Sequence, residues 1–358
     1  MKVSHTVTQD SRRSRFPAGK RQRLAEAIAR FGLVAPLQAM HDRGRQTLTV
    51  LAYHRIAPLD DAARYPLDID LISASPEDFD AQMRYLREHQ HPVSLDQIIE
   101  HLNGGTPLPP RAVAVTFDDG FRDTFRHAFP ALRAHRIPAC VFVTTGCVDS
   151  GEPFWFELTA HLMMRIAPHS IRLPALAEGL PSGDDLAHRR LSIKTLHAAL
   201  KMIPDADRAA LVKEWAARFR TDIDPSIIEL SHPITWDEIE AMSHAGIAFG
   251  SHTLTHPNLT QLTDEALRRE LVESRRILSA RIGQTVRTIA YPFGTPGTYD
   301  ERVMRHAAQA GYELGVSYIA GTNWPDDLRR FELRRKGVSF WMSLDYFRTQ
   351  LALPEWVQ

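Results

Sequence analysis

The sequence has few cysteines, no long apolar run and no excess of either charge. Among its 358 residues, Cys140 and Cys147 are the only cysteines, so a disulfide framework is excluded. No run of about 18 apolar residues occurs, which argues against a transmembrane helix. Lys plus Arg and Asp plus Glu are both 43, whereas dedicated nucleic-acid binders usually carry a basic excess. We therefore expect a protein of about two domains, or one α/β barrel with additions, that binds no nucleic acid.

The first residues also lack the apolar segment of a secretory signal. Residues 1–23 are polar and basic, which predicts a cytoplasmic location. Leu24, Ile28 and Phe31 follow at helical spacing, so residues 1–45 are predicted to be a basic arm and an amphipathic helix. Such a helix could lie peripherally on the anionic inner membrane. The alternative is a frayed tail that leads into an ordinary packed helix.

Short apolar runs alternate with amphipathic helical patterns over most of the chain, which predicts a parallel α/β architecture. Residues 46–149 and 233–345 are predicted to form its two parts, and 346–358 a C-terminal tail. Residues 150–232 show helical patterns without a convincing strand, which indicates a helical insertion. The predicted strands are 46–53, 111–117, 139–145, 247–250, 288–291 and 314–318, with 331–338 as a possible last one.

Side chains capable of chemistry follow these strands, where parallel α/β folds place their sites. His252 and His256 are four residues apart and would share a face if the chain turned into a helix there. With one carboxylate of the pair Asp118-Asp119 they would supply three ligands for a divalent ion and leave a position open. The other carboxylate could then accept a proton, and His54 could donate one.

The same residues allow simpler interpretations. The aspartate pair could be an acidic turn, the two histidines a polar helix start, and His54 an ordinary loop residue. Four histidines of the predicted insertion are expected on the solvated surface: His161, His169, His188 and His197.

Two motifs together give a specific resemblance. Thr116–Gly120 reads Thr-Phe-Asp-Asp-Gly and His252–His256 reads His-Thr-Leu-Thr-His. In this order they resemble the polysaccharide deacetylases of carbohydrate esterase family four. The resemblance implies a distorted, incomplete (β/α) barrel, here with a helical insertion. It also implies that Asp118 is the catalytic base and that a divalent metal, most often Zn²⁺, is bound by Asp119, His252 and His256.

A third family motif is only partly kept. Ala290 stands where the family usually has the arginine that orients the base, and Arg334 or Arg335 could replace it. Pro292-Phe293-Gly294 is retained, so the resemblance implies that the Phe293 N–H helps to form an oxyanion hole. The early Tyr53-His54 is similar to the permuted arrangement of poly-N-acetylglucosamine deacetylases, which implies that His54 is the catalytic acid.

The function that the resemblance implies is removal of N-acetyl groups from amino sugars of a polysaccharide or glycan precursor. One alternative is deformylation or deacetylation of a lipid-linked monosaccharide, and another is a non-catalytic glycan-binding relative. Tyr291 and Trp324 are candidates for stacking on sugar rings, with core packing as the alternative.

Overall fold

The computed structural model describes residues 19–41, 46–59, 61–173, 175–176, 179–181 and 183–353. The predicted basic arm up to residue 18 lies outside the described residues, as do the last five residues of the predicted tail. Within the described ranges, no helix combines the length and the apolar character needed to cross a bilayer.

A parallel eight-stranded sheet curls into a half-barrel and forms the centre of the protein. Its strands run in the order β10-β1-β5-β6-β7-β8-β9, and β4 pairs with β5. Two short strands, β2 and β3, pair separately. The strands are β1 Leu48–Tyr53, β2 Arg55–Ile56, β3 Ile72–Ala74, β4 His91–Pro92, β5 Ala112–Phe117, β6 Ala139–Val143, β7 Ala248–Ser251, β8 Thr288–Ala290, β9 Leu314–Val316 and β10 Lys336–Gly337.

Helices surround the sheet, and three longer ones stand in the predicted insertion. The described α-helices are α1 Lys20–Arg30, α2 Val34–His41, α3 Pro76–His89, α4 Leu95–Leu102, α5 Phe129–His135, α6 Thr145–Ser150, α7 Trp155–Arg165, α8 Leu186–Leu200, α9 Asp205–Arg218, α10 Pro225–Leu230, α11 Trp236–His244, α12 Asp264–Ile282, α13 Glu301–Gln309 and α14 Leu344–Ala352.

Alternation along the strands divides the core into two layers. Val113, Val115 and Phe117 face the outer helices, whereas Ala112 and Ala114 belong to a second cluster. Side chains alternate between faces along a strand, so Thr116 and then Asp118 continue the row on the second side. The regular strand therefore directs an aspartate, and not its neighbour Phe117, toward the interior of the half-barrel.

The two ends of the sheet are joined by an irregular segment where one strand is expected. The N–H groups of Gly315 and Ser317 donate to the carbonyls of Arg330 and Leu333 at 2.9 Å, and these bonds hold the segment against β9. Further on, Leu51 and Ala52 of β1 pair with β10. Residues 331–338 thus divide their pairing between the two edges, and only Lys336–Gly337 form a regular strand.

The expected barrel class and helical insertion are confirmed, with differences at the two ends of the chain. Most of the expected C-terminal tail that the structure describes belongs to α14, which packs on α1, α2 and α3. In α1, Ala25 is buried and Leu24 is 51% exposed, and Phe31, which directly follows the helix, is 75% exposed. Residues Lys20–Arg30 of this segment form α1, whereas its membrane contact and the cytoplasmic location stay predictions.

The packing of α14 predicts a loss of stability on mutation that an unpacked tail would not show. Phe347 is fully buried in the core cluster, so Phe347→Ala is expected to reduce the free energy of unfolding by about 3–5 kcal/mol. The matched substitution Phe31→Ala is expected to change it by at most about 0.5 kcal/mol. Urea unfolding followed by circular dichroism measures both. Equal small effects would show that α14 does not contribute to the folded core.

Candidate metal and catalytic site

Parallel pairing brings the predicted residues to one edge of the sheet. Tyr53 is opposite Phe117 in the β1–β5 register, so His54 and Asp118 leave adjacent strands side by side. Val143 is opposite Ser251 in the β6–β7 register, and His252 follows β7 directly. Because all these strands run in the same direction, their carboxyl ends meet at this edge.

Three of these side chains form a buried group suited to a metal ion. The Oδ1 atom of Asp119 lies 3.4 Å from Nε2 of His252 and 3.3 Å from Nε2 of His256. One ligand atom from each of the three residues lies within 4.8 Å of the ligand atoms of the other two. The Nδ1 atom of His252 lies 2.8 Å from the carbonyl oxygen of Ala290, a bond that leaves Nε2 free to face the group. Two imidazoles and a carboxylate are a donor set that suits Zn²⁺ and related ions.

The charge states of Asp119 and His256 favour a cation. Burial alone would raise the pKa of Asp119, but its contacts with His252 and His256 more than offset this and hold it below its usual value. Burial lowers the pKa of His256 to about 4. At pH 7 this residue is therefore neutral, the form in which imidazole binds a metal.

The two histidines lie on a loop, so they come together without the helical turn that the sequence analysis considered. Thr253 and His256 have φ values of 68° and 59°, which a right-handed helix does not contain. The loop is held from α12 by Glu270, whose carboxylate accepts from the N–H groups of Leu254 and Thr255 at 2.8 and 2.9 Å. Glu270 was not found from the sequence, because an acid within a helix carries no local signal of this contact.

Asp118 is held by an arginine from the far end of the chain. Nη1 and Nη2 of Arg335 donate to its two carboxylate oxygens, both at 2.7 Å, and both side chains are almost completely buried. Burial alone would raise the pKa of Asp118, but the charges of Arg335 and His252 hold it below its usual value. Of the two arginines considered from the sequence, the structure therefore selects Arg335, whereas the backbone of Arg334 pairs with Asn323.

His54 and Phe293 lie at the same edge. The His54 ring is half-buried and packs against Tyr318 with ring centroids 5.3 Å apart. Phe293 has a φ of 62°, and its ring lies edge-on to His256 with centroids 4.8 Å apart. The structure thus brings all six predicted site residues together, while their individual roles stay predictions.

A buried arginine next to His54 ties this strand end to the insertion. Arg55 donates through Nε to Asp123 at 2.7 Å and through Nη1 to Glu157 of α7 at 2.5 Å. It also donates to the hydroxyl of Tyr65 and to the carbonyl of Leu230 in α10. Arg55 thus bonds to Glu157 near the start of the insertion and to Leu230 near its end, and it holds both against the catalytic edge. Breaking one of these buried ion pairs would leave an uncompensated charge.

The insertion also supplies one side of the site, which the sequence did not reveal. The Phe156 ring lies 5.5 Å from that of His256, and the Trp155 ring 6.5 Å from that of Phe293. Arg208 donates to the carbonyl of His256 at 3.4 Å. A sequence signal was absent because aromatic and basic residues on helices usually serve packing or solvation.

Two further expectations about the insertion and the strand ends are corrected. Among its histidines, His161 and His197 are buried instead of solvated, and His197 bonds to the hydroxyl of Thr159 at 3.0 Å. Tyr291 is a core residue stacked on Tyr299. Trp324 follows a residue that pairs with the first residue of β1, so it lies at the opposite edge from the site.

Comparisons with known proteins agree with this geometry. A family model described as polysaccharide deacetylase matches residues 105–315. The protein YxkH of Bacillus subtilis (strain 168), named as a deacetylase of this kind, is 20% identical over 297 residues, which are 83% of this chain and 73% of the relative. The poly-beta-1,6-N-acetyl-D-glucosamine N-deacetylase of Staphylococcus epidermidis is 28% identical over 235 residues, 58% of this chain and 72% of the relative.

A solved structure shows the same fold. The Streptococcus pyogenes deacetylase PplD, in complex with acetate, has a TM-score of 0.54 and 19% sequence identity over 83% of this chain and 94% of its own. At this identity the likeness concerns the fold alone.

The three-residue group predicts a metal site that Asp119 is required to form. Loss of a residue that only hydrogen-bonds to a metal ligand weakens metal binding by roughly 10- to 100-fold. Asp119→Ala removes a direct ligand and is therefore expected to weaken Zn²⁺ binding by more than this. Titration calorimetry at pH 7 measures the affinity. Asp237→Ala, which removes an exposed carboxylate on α11, is the control. Unchanged Zn²⁺ affinity in Asp119→Ala would contradict the site.

Proposed function

This chain belongs to the polysaccharide deacetylase family, and we propose that it is a metal-dependent hydrolase that removes N-acetyl groups from amino sugars of a polysaccharide or glycan precursor. The observation that carries the proposal is the pairing of Asp118 with Arg335 at 2.7 Å, directly beside the buried Asp119, His252 and His256. A non-catalytic sugar-binding site needs neither a second carboxylate nor an open metal group.

In this proposal Asp119, His252 and His256 hold a divalent ion, with Zn²⁺ as the first candidate. Such an ion polarises a carbonyl group and lowers the pKa of water. The buried His252 and His256 rings exclude bulk water from one side of the group. The hydrogen bond from His252 to Ala290 keeps one imidazole nitrogen directed at the ion.

Asp118 is the general base. Arg335 keeps its carboxylate ionised and fixes the direction of both oxygens, so that one can accept a proton from the attacking water. Attack on the acetamide carbon gives an oxyanion, to which the backbone N–H of Phe293 is proposed to donate. His54, on the neighbouring strand end, is proposed to protonate the departing amine. Water and the N-acetyl sugar are thus converted to acetate and a free amino sugar.

The substrate class is supported by the relatives. A relative named as a poly-beta-1,6-N-acetyl-D-glucosamine N-deacetylase aligns with 58% of this chain. The alternative of deformylating or deacetylating a lipid-linked monosaccharide uses the same residues and differs only in the acyl group and the acceptor.

The first test measures acetate release from N-acetylglucosamine oligomers by the metal-loaded protein and by Asp118→Asn. The variant is expected to bind Zn²⁺ normally and to lose roughly 10²- to 10⁴-fold in kcat, because the water is no longer deprotonated. Asp237→Asn is the matched control. Near-normal rates in Asp118→Asn would exclude it as the base. Absence of acetate with every N-acetyl acceptor, despite bound metal, would favour the N-formyl or glycan-binding alternatives.

The role of His54 is tested by changing the leaving group. His54→Ala is expected to slow acetamide hydrolysis about 10²-fold more than hydrolysis of an activated aryl acetate, because a phenolate leaves without protonation. Both rates are measured under the same conditions by acetate and phenolate release. Equal losses on the two substrates would show that His54 does not act as the acid.

A further inference from the structure

The helical insertion places a cation directly over the motif that contains Phe293. Lys201 follows the last residue of α8, and its Nζ lies 4.9 Å from the centre of the Phe293 ring. Its backbone carbonyl accepts from the side-chain amide of Asn258 at 3.0 Å, and Asn258 is two residues beyond His256. The end of α8 is thereby attached to the metal-site loop, which keeps the lysine at the site.

The other charges around the site have close partners, whereas Lys201 has none at ion-pair distance within the described part of the chain. Asp118 is paired with Arg335 and Arg208 with Asp205. Among the residues that the structure describes, no ion pair includes Lys201; Asp68 and Asp119 attract it only from a longer distance. Asp68 already lies 3.4 Å from His197.

This arrangement leaves Lys201 without a counter-charge at ion-pair distance among the described residues. The Lys201 side chain is half-buried, and a cation removed from water without a close counter-charge is unfavourable. The carboxylate of Asp119 faces the metal position, so a bound divalent ion would weaken its attraction for Lys201 still further. An anionic group on the substrate would supply the missing counter-charge, whereas a neutral glycan would leave it absent.

We propose that the preferred acceptor is an N-acetylated amino sugar with an anionic substituent, a phosphate or a carboxylate, and that Lys201 binds this group while Trp155 and Phe293 contact the sugar. The proposal rests on the proposed deacetylase function and specifies its substrate class. A lysine binds either anion as a point charge, and the aromatic rings offer the apolar surface that a pyranose ring packs against.

The experiment compares Lys201→Gln with the unchanged protein on three acceptors. These are a neutral N-acetylglucosamine dimer, N-acetylglucosamine 6-phosphate and N-acetylmuramic acid, which carries a carboxylate. Lys201→Gln is expected to raise KM roughly 10-fold or more on the acceptor with the preferred anion, the cost of losing a hydrogen bond to a charged group. We expect kcat on that acceptor to stay within about twofold, KM for the neutral dimer to rise far less than KM for the charged acceptor, and Lys201→Arg to restore KM. The two charged acceptors distinguish phosphate from carboxylate.

A matched control lies on the same helix. Lys194 of α8 is exposed and pairs with Asp70 at 2.9 Å, so Lys194→Gln removes one positive charge without touching the site. It is expected to leave all constants unchanged. An equal effect of the two lysine substitutions would show that only the overall charge matters, which overturns the assignment to Lys201.

Binding measured without turnover separates this inference from the proposed function. Calorimetry on the Asp118→Asn background, with and without Lys201→Gln, measures the affinity for each acceptor. Loss of affinity for the charged acceptors alone supports the inference even if no acetate is released. Acetate release with no preference for charged acceptors, or equal losses on neutral and charged ones, would overturn the inference and leave the deacetylase function intact.

Discussion

The buried pair of Asp118 and Arg335 is the interaction on which the rest of the site depends. A carboxylate and a guanidinium that leave water both lose hydration free energy, which close and complete hydrogen bonding must offset. Here two parallel bonds of 2.7 Å join them, and Arg335 also donates to the carbonyl of Ser317 at 2.7 Å. One arginine therefore connects the end of β5 with the segment after β9, and it joins the two halves of the sheet at the point where the base must be rigid.

Several residues of the site have strained backbone conformations. Of the six non-glycine residues with positive φ in the described part of the chain, four belong to the site: Asp119, Thr253, His256 and Phe293. Each such residue costs on the order of 1 kcal/mol or more unless its surroundings impose the conformation. Those surroundings are present here. Glu270 binds the histidine loop through two N–H groups, and the N–H of Thr144 donates to the carbonyl of Asp119 at 3.2 Å.

The helical insertion is part of the site and not a separate attachment. Its own hydrophobic cluster would allow it to pack independently of the barrel. Arg55 nevertheless anchors it beside His54, with Glu157 buried against the guanidinium. Both side chains are almost completely buried, and this burial raises the pKa of Glu157 to about 7 against the opposing charge of Arg55. The same contact holds Trp155 and Phe156, which directly precede Glu157 in the chain, against the metal group.

The sequence by itself determined six of the ten described strands, their order along the chain and the residues that follow them. Apolar runs such as Ala112–Phe117 and the motifs Thr116–Gly120 and His252–His256 are local patterns, and a parallel sheet brings such strand ends to one edge. Only the tertiary structure decided that Arg335 and not Arg334 meets Asp118, 217 residues away, and that the insertion places Lys201 over Phe293. The physical reason is that a pattern along the chain reports on neighbours within a strand or a helical turn. Contacts between distant segments depend on how those elements pack. The identity of an arginine or a lysine in the sequence therefore does not show whether its side chain contacts solvent or a buried carboxylate.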